Sequence, residues 1–178
     1  MSYFCSMNVD YQHLLPADFD PLSRVWIYQG SRPFTLAEVL AVEEKLNSFA
    51  QQWHAHGAGV KSFATVFFGQ FIVLMADETH TQVSGCSTDS SVRMVKEIEQ
   101  QFGVSLFDRQ ALAFVVKDKI QLIPMHQLAY AAENNFISPG TVYFNNTVQT
   151  KKELEQNWLI EVKNSWIGKR FSFLSVAG

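Results

Sequence analysis

The residues equipped for chemistry gather in the middle of the chain. Cys86 lies in the run Ser84-Gly85-Cys86-Ser87-Thr88-Asp89-Ser90-Ser91, and the other cysteine is Cys5. Val92, Val95, Ile98 and Phe102 follow at helical spacing, so the run reads as a helix start. A thiol there faces unpaired backbone N–H groups and the positive end of a helix dipole, and both favour the thiolate. His54 and His56 end an earlier helical pattern, while Asp77, Glu78 and His80 follow a strand pattern. One chemistry this permits is a thiol site, with Cys86 as nucleophile, His54 or His56 as base, and Asp77 or Asp89 as orienter. The other reading makes Cys86 a small buried hydrophobe and the serines simple helix caps. His54, His56, His80 and Cys86 could also supply metal ligands. Their spacing matches no structural zinc signature and no Cys-x-x-Cys is present, so the metal question stays open.

These residues need elements to position them. Arg24-Val25-Trp26-Ile27-Tyr28-Gln29 is β-branched and aromatic, ends at Gly30, and reads as a central strand covered on both faces. Thr35-Leu36-Ala37-Glu38 has capping-box spacing. The helix it opens runs to about Trp53, with Val39, Val42, Leu46, Phe49 and Trp53 as the buried stripe and Gly57 near the C-cap. Phe63 to Phe68 and Phe71 to Ala76 read as strands joined at Gly69-Gln70, a type II′ hairpin. The helix after Cys86 ends at Gly103. Ala111 to Lys117 is the next strand, and Asp118 turns the chain into Ile120 to Ile123.

The order strand, helix, strand, strand, helix, strand predicts an α+β fold: a ferredoxin-like split βαβ sandwich over residues 21–118. Its antiparallel sheet would hold the first and third strands at its centre. That topology brings His54 and His56 to the sheet edge shared by Asp77, Glu78, His80 and Cys86, with Arg24 and Lys117 beside them. Residues 1–20 lack periodicity and read as a loosely packed N-terminal tail. Residues 119–167 form an extension expected to pack on the main domain. There Pro124 starts a helix with the stripe Met125, Leu128, Ala129 and Ala132. Thr141 to Phe144 is a strand, and Thr150-Lys151-Lys152-Glu153 is a second capping box. Residues 168–178 read as a C-terminal tail.

Composition narrows the function. With 178 residues, 47% of them apolar, and 15 Phe, 5 Tyr and 4 Trp, the chain can fill a sizeable core. A net charge of −3 argues against nucleic acid as partner, so Trp26 and Tyr28 are expected in the core rather than stacking bases. No segment is apolar enough for a membrane span, the N-terminus has no signal-peptide pattern, and two distant cysteines fit a reducing cytoplasm.

Two resemblances add expectations. The segment IPMHQLAYAAENNFISPGTVYFNN resembles small GYF-related modules of bacterial proteins through Pro124, Leu128, Ile137, Pro139, Thr141 and Val142. Asn135 and Phe144 stand where such modules carry glycine and tryptophan. The resemblance implies protein contacts rather than catalysis. Residues 24–170 are similar to a family of small bacterial proteins that sometimes carry the label ABC transporter ATPase, through RVWIYQ, WHAHG, SGCSTDSS, LFDR, FNN and TKKELE. A Walker A loop needs a glycine five residues before its Gly-Lys pair. Gly168-Lys169 has Lys163 there and Arg170 in place of Ser or Thr, so no nucleotide or other cofactor is expected.

The sequence thus leads to a binding or adaptor module for a protein or a small ligand, with no nucleic acid and no membrane, and the oligomeric state open. The alternative is a cysteine-dependent enzyme using Cys86 with His54 or His56.

Overall fold

The computed structural model describes residues 7–171 except His56, with the backbone alone of Ala55. The fold is α+β and divides into two compact units. The larger holds Leu14–Asp108 and Val148–Glu155, and the smaller holds the other described residues.

The larger unit contains β1 (Arg24–Gln29), α1 (Leu36–Gln52), a short ribbon of β2 (His54–Ala55) and β3 (Ala58–Gly59), β4 (Lys61–Phe67), β5 (Phe71–Asp77) and α2 (Gly85–Phe102). The long strands form an antiparallel sheet in the order β1-β5-β4, with Arg24 opposite Ala76 and Lys61 opposite Asp77. All seven residues of β5 are buried, as a strand covered on both faces requires. Each of its large apolar side chains contributes about 1.5–3 kcal/mol by leaving water. On one face, α1 and α2 set Val42, Leu46, Val95 and Ile98 against Tyr28, Ala64, Ile72 and Leu74.

The start of α1 is fixed from three sides. Thr35 and Glu38 exchange capping-box hydrogen bonds, and Arg32 grips Glu38 through two bonds of 2.8 and 2.9 Å. Arg32 also donates to the Phe102 carbonyl at the end of α2, 2.7 Å away. The Arg32 fork, with the Thr35 amide, holds the Glu38 carboxyl down to about 2.

The smaller unit contains β6 (Ala111–Val116), β7 (Lys119–Pro124), α3 (Leu128–Glu133) and β8 (Val142–Phe144). Next in the chain, α4 (Lys151–Asn157) starts in the larger unit. β9 (Leu159–Glu161) and α5 (Trp166–Arg170) complete the smaller one. Its antiparallel sheet runs β7-β6-β8-β9, over a core of Phe114, Leu128, Ala131, Ile137, Tyr143, Val162 and Ile167. A Cβ on Gly168 would lie 2.6 Å from the Val162 carbonyl oxygen, so packing in α5 explains the glycine of the Gly168-Lys169 pair.

Several expectations need correction. The ferredoxin-like sheet is not shown: β6 pairs with β7 and β8 in the second sheet, and β1 lies at an edge of the first. Two causes are visible. Lys117 and Asp118 both take positive φ, the type I′ pattern that closes a two-residue hairpin, so β6 finds β7 at little loop-closure cost. The outer side of β1 is meanwhile occupied by the connection after β8, where Val25 N–H donates to Gln149 and Arg24 bridges to Thr150. The second sheet therefore begins before residue 119, the start expected for the extension. The β4–β5 turn also differs. Phe68 and Gly69 both have positive φ and Gln70 N–H returns to the Phe67 carbonyl, so the turn is I′-like and one residue earlier. Residues 7–20 are not loose, since Tyr11, Leu15 and Phe19 are buried. Residues 168–171 extend or follow α5, and the rest of both expected tails lies outside the described residues.

Candidate functional site

Cys86 occupies the first turn of α2, as its sequence context predicts. Ser84 is the N-cap and accepts from the Ser87 amide. The buried stripe of the helix is Ser87, Ser91, Val95 and Ile98, which turns Cys86 to the solvent side. The cysteine is exposed, so the buried-hydrophobe reading does not hold. The hydroxyls around it are engaged locally: Ser90 donates to the Ser87 carbonyl, Ser91 to Thr88, and Thr88 to Ser84.

His54 reaches the same place by another route. α1 stops at Trp53, whose extended backbone leads into β2, and Gly57 serves the ribbon turn rather than the helix C-cap. Ser87 joins this segment to α2, because its hydroxyl donates to the His54 carbonyl at 2.6 Å and Trp53 Nε1 donates to the Ser87 carbonyl at 3.0 Å. His54 and Cys86 then line one groove of about 360 Å³ with Phe49, Trp53 and Ser90. His54 Nδ1 contacts the Gln52 carbonyl, which can only accept, so Nδ1 is the donor in that contact. The Cys86 sulfur makes no hydrogen bond to that ring. His56 lies outside the described residues.

Asp77 belongs to a different arrangement. Only 4% exposed, it accepts from the Thr79 hydroxyl at 2.6 Å, from the Thr79 and Asp20 amides, and pairs with Lys61 at 3.4 Å. The Thr79 hydroxyl and these amides outweigh burial and hold its carboxyl far below the usual carboxylate range. Lys61 is raised in turn: burial opposes its charge, but its bonds to Asp18 and Asp77 prevail. Asp77 is thus a fixed anion tying β5 to the segment before β1, with no histidine among these partners. Asp89 and His80 are exposed, Arg24 pairs with Glu78 at 3.4 Å, and Lys117 lies in the β6–β7 turn. Trp26 and Tyr28 pack in the core. Among the described residues no three His, Cys, Asp or Glu side chains converge as a metal site, and no helix is long and apolar enough to cross a membrane.

A second concavity, of about 580 Å³, opens in the smaller unit between β7 and α3. Its lining includes Val116, Leu122, Ile123 and Ala131, with Tyr130 and Phe136 standing 64% and 57% exposed on it. Lys117 and Lys119 also line it, no acidic residue does so among the described residues, and Asp118 between them accepts from the Met7 amide. Neither lysine has an ion-pair partner among the described residues. Of the stripe expected for α3, Leu128 and Ala132 are buried and Met125 half-buried, but Ala129 is exposed and Ala131 is buried instead. The available signal for this groove was that Tyr130 falls off that stripe and Phe136 directly follows the Asn134-Asn135 turn. Large apolar side chains left in water are informative when they cluster.

Compared with family models, curated proteins and solved structures, the chain finds no match.

Proposed function

We propose that the protein acts by binding, and that the groove between β7 and α3 receives a segment of a protein partner. The observation that carries this reading is the pair of exposed rings, Tyr130 and Phe136, on a concavity whose other lining is half aliphatic and half Lys and Gln. Aromatic rings bury a large area with little loss of conformational freedom and are enriched where binding energy concentrates. The two lysines in the lining add a charge criterion: an apolar side chain with acidic neighbours fits both features. The likeness of Ile123 to Asn146 to small GYF-related modules, whose usual role is protein contact, points the same way. Selection of a random displayed peptide library on the full chain tests the reading. Sequences should be enriched on the wild type and lost on Phe136→Glu, whose fold is checked by thermal unfolding. No enrichment, or enrichment indifferent to Phe136→Glu, contradicts it.

A second reading is a cysteine-dependent enzyme using Cys86 with His54 or His56 as base. One observation favours it: an exposed thiol and an imidazole line the same groove. It predicts that, with Cys5 replaced by serine, His54→Ala slows alkylation of Cys86 by iodoacetamide severalfold near neutral pH. The binding reading predicts no such dependence.

A further inference from the structure

The edges of the two sheets are not treated alike. On the β1 side, the chain at Gln149 and Thr150 bonds to the strand. On the β4 side, Glu43 accepts from the Val66 amide at 2.6 Å and from the Thr65 hydroxyl at 2.8 Å. In the second sheet one outer strand, β9, has only three residues. The other, β7, has six, and nothing among the described residues pairs with its outer side.

The hairpin geometry identifies the groups left over. A two-residue turn makes Val116 and Lys119 a hydrogen-bonded pair. By alternation Gln121 and Ile123 also bond inward to β6, while Ile120 and Leu122 turn their N–H and C=O groups away from the sheet. Pro124 is the next outward position, where a residue with no N–H loses nothing. The β7–α3 groove is lined by Lys119, Gln121, Leu122 and Ile123 of this strand together with Tyr130 and Phe136.

We infer that an extended, acidic segment of a protein partner adds to β7 as a further strand. This rests on the binding reading above and specifies its geometry. The segment's backbone would take up the Ile120 and Leu122 amides and carbonyls, and alternate side chains would enter the groove. Acidic residues would face Lys117 and Lys119. A helical ligand could fill the groove but would leave the Ile120 and Leu122 groups unsatisfied at a desolvated edge.

The probe is a capped eight-residue peptide with three glutamates at one end followed by five valines, so that its acidic end can meet Lys117 and Lys119, added to the full chain and followed by amide hydrogen exchange. Exchange at Ile120 and Leu122 is expected to slow by about tenfold or more, since each amide exchanges its water partner for a carbonyl. A lysine–valine peptide of the same pattern should bind roughly threefold to tenfold more weakly, as expected for two exposed ion pairs. If the glutamate peptide binds in a Phe136-dependent way while both amides exchange unchanged, strand addition is overturned and the binding reading stands. If it does not bind but sequences from the random library do, the acidic strand is again overturned and the groove stands. Failure of both overturns both. If the two amides are already protected in free protein, together with a dimer mass, a second copy of the chain covers β7 and the inference is overturned.

Discussion

The groove beside Cys86 and the groove beside β7 have opposite characters. The one beside Cys86 holds reactive residue types, yet its polar atoms are largely engaged: Ser87 bonds the His54 carbonyl, and the serines return to their own helix. The one beside β7 is lined by no cysteine or histidine, yet two aromatic rings stand exposed on it and its strand has no partner on the outer side among the described residues. Residue type marks what a site could do chemically, whereas unsatisfied surface marks where a partner lowers the free energy most.

Four measurements sharpen or break that contrast. The largest effect is expected from Phe136→Glu, which should weaken peptide binding at the β7 groove by at least about thirtyfold, as for a central aromatic contact. Cys86→Ser should leave the same affinity unchanged in the same titration. The next concerns stability. Ser87→Ala removes a buried hydroxyl that bonds the His54 carbonyl and accepts at the helix cap, and should cost about 1–2 kcal/mol in denaturant unfolding. Cys86→Ser, one residue away but exposed, should stay within about 0.5 kcal/mol. A reversed order would mean that the thiol, not the serine, holds α1 to α2.

Acid should act on the larger unit. Glu38 is held at about 2 in the folded chain against an ordinary value of 4.5, and Asp77 is lowered further. Groups lowered on folding stabilise above their unfolded values, and that stability is lost as pH falls through the folded ones. The unfolding midpoint should therefore fall between about pH 5 and pH 2. The fall should be shallower in Glu38→Gln, which no longer titrates there. The smallest effect is expected for iodoacetamide on Cys86, where His54→Ala should change the rate by less than about twofold, as for a thiol without a hydrogen-bonded base.

Much of the larger unit was legible in the sequence because its signals are local. The Thr35/Glu38 box, the stop at Gly103 and the strand Arg24–Gln29 all depend on residues a few positions apart. Sheet assignment was not local. Val25, Trp26, Ile27 and Tyr28 look as apolar as a central strand, but the longer run Phe71 to Ala76 takes that place. The hairpin at Lys117-Asp118 then draws the expected fourth strand into another sheet. Of the candidate site, the nearness of His54 to Cys86 was anticipated from a topology that is not shown; the Ser87 bridge achieves it instead. The partners of Asp77 were not legible, because a sequence cannot show that Thr79, Asp20 and Lys61 meet at its carboxylate. The β7 groove was not found because its character comes from what fails to pair, which only the fold reveals.

The central claim, that partners bind at β7 and not beside Cys86, is tested most directly by chemical-shift mapping with a library-selected peptide. Perturbations are predicted at Ile123, Tyr130, Ala131 and Phe136, with His54, Ser87 and Cys86 unmoved. Shifts centred on His54 and Cys86, with Tyr130 and Phe136 unchanged, would contradict it.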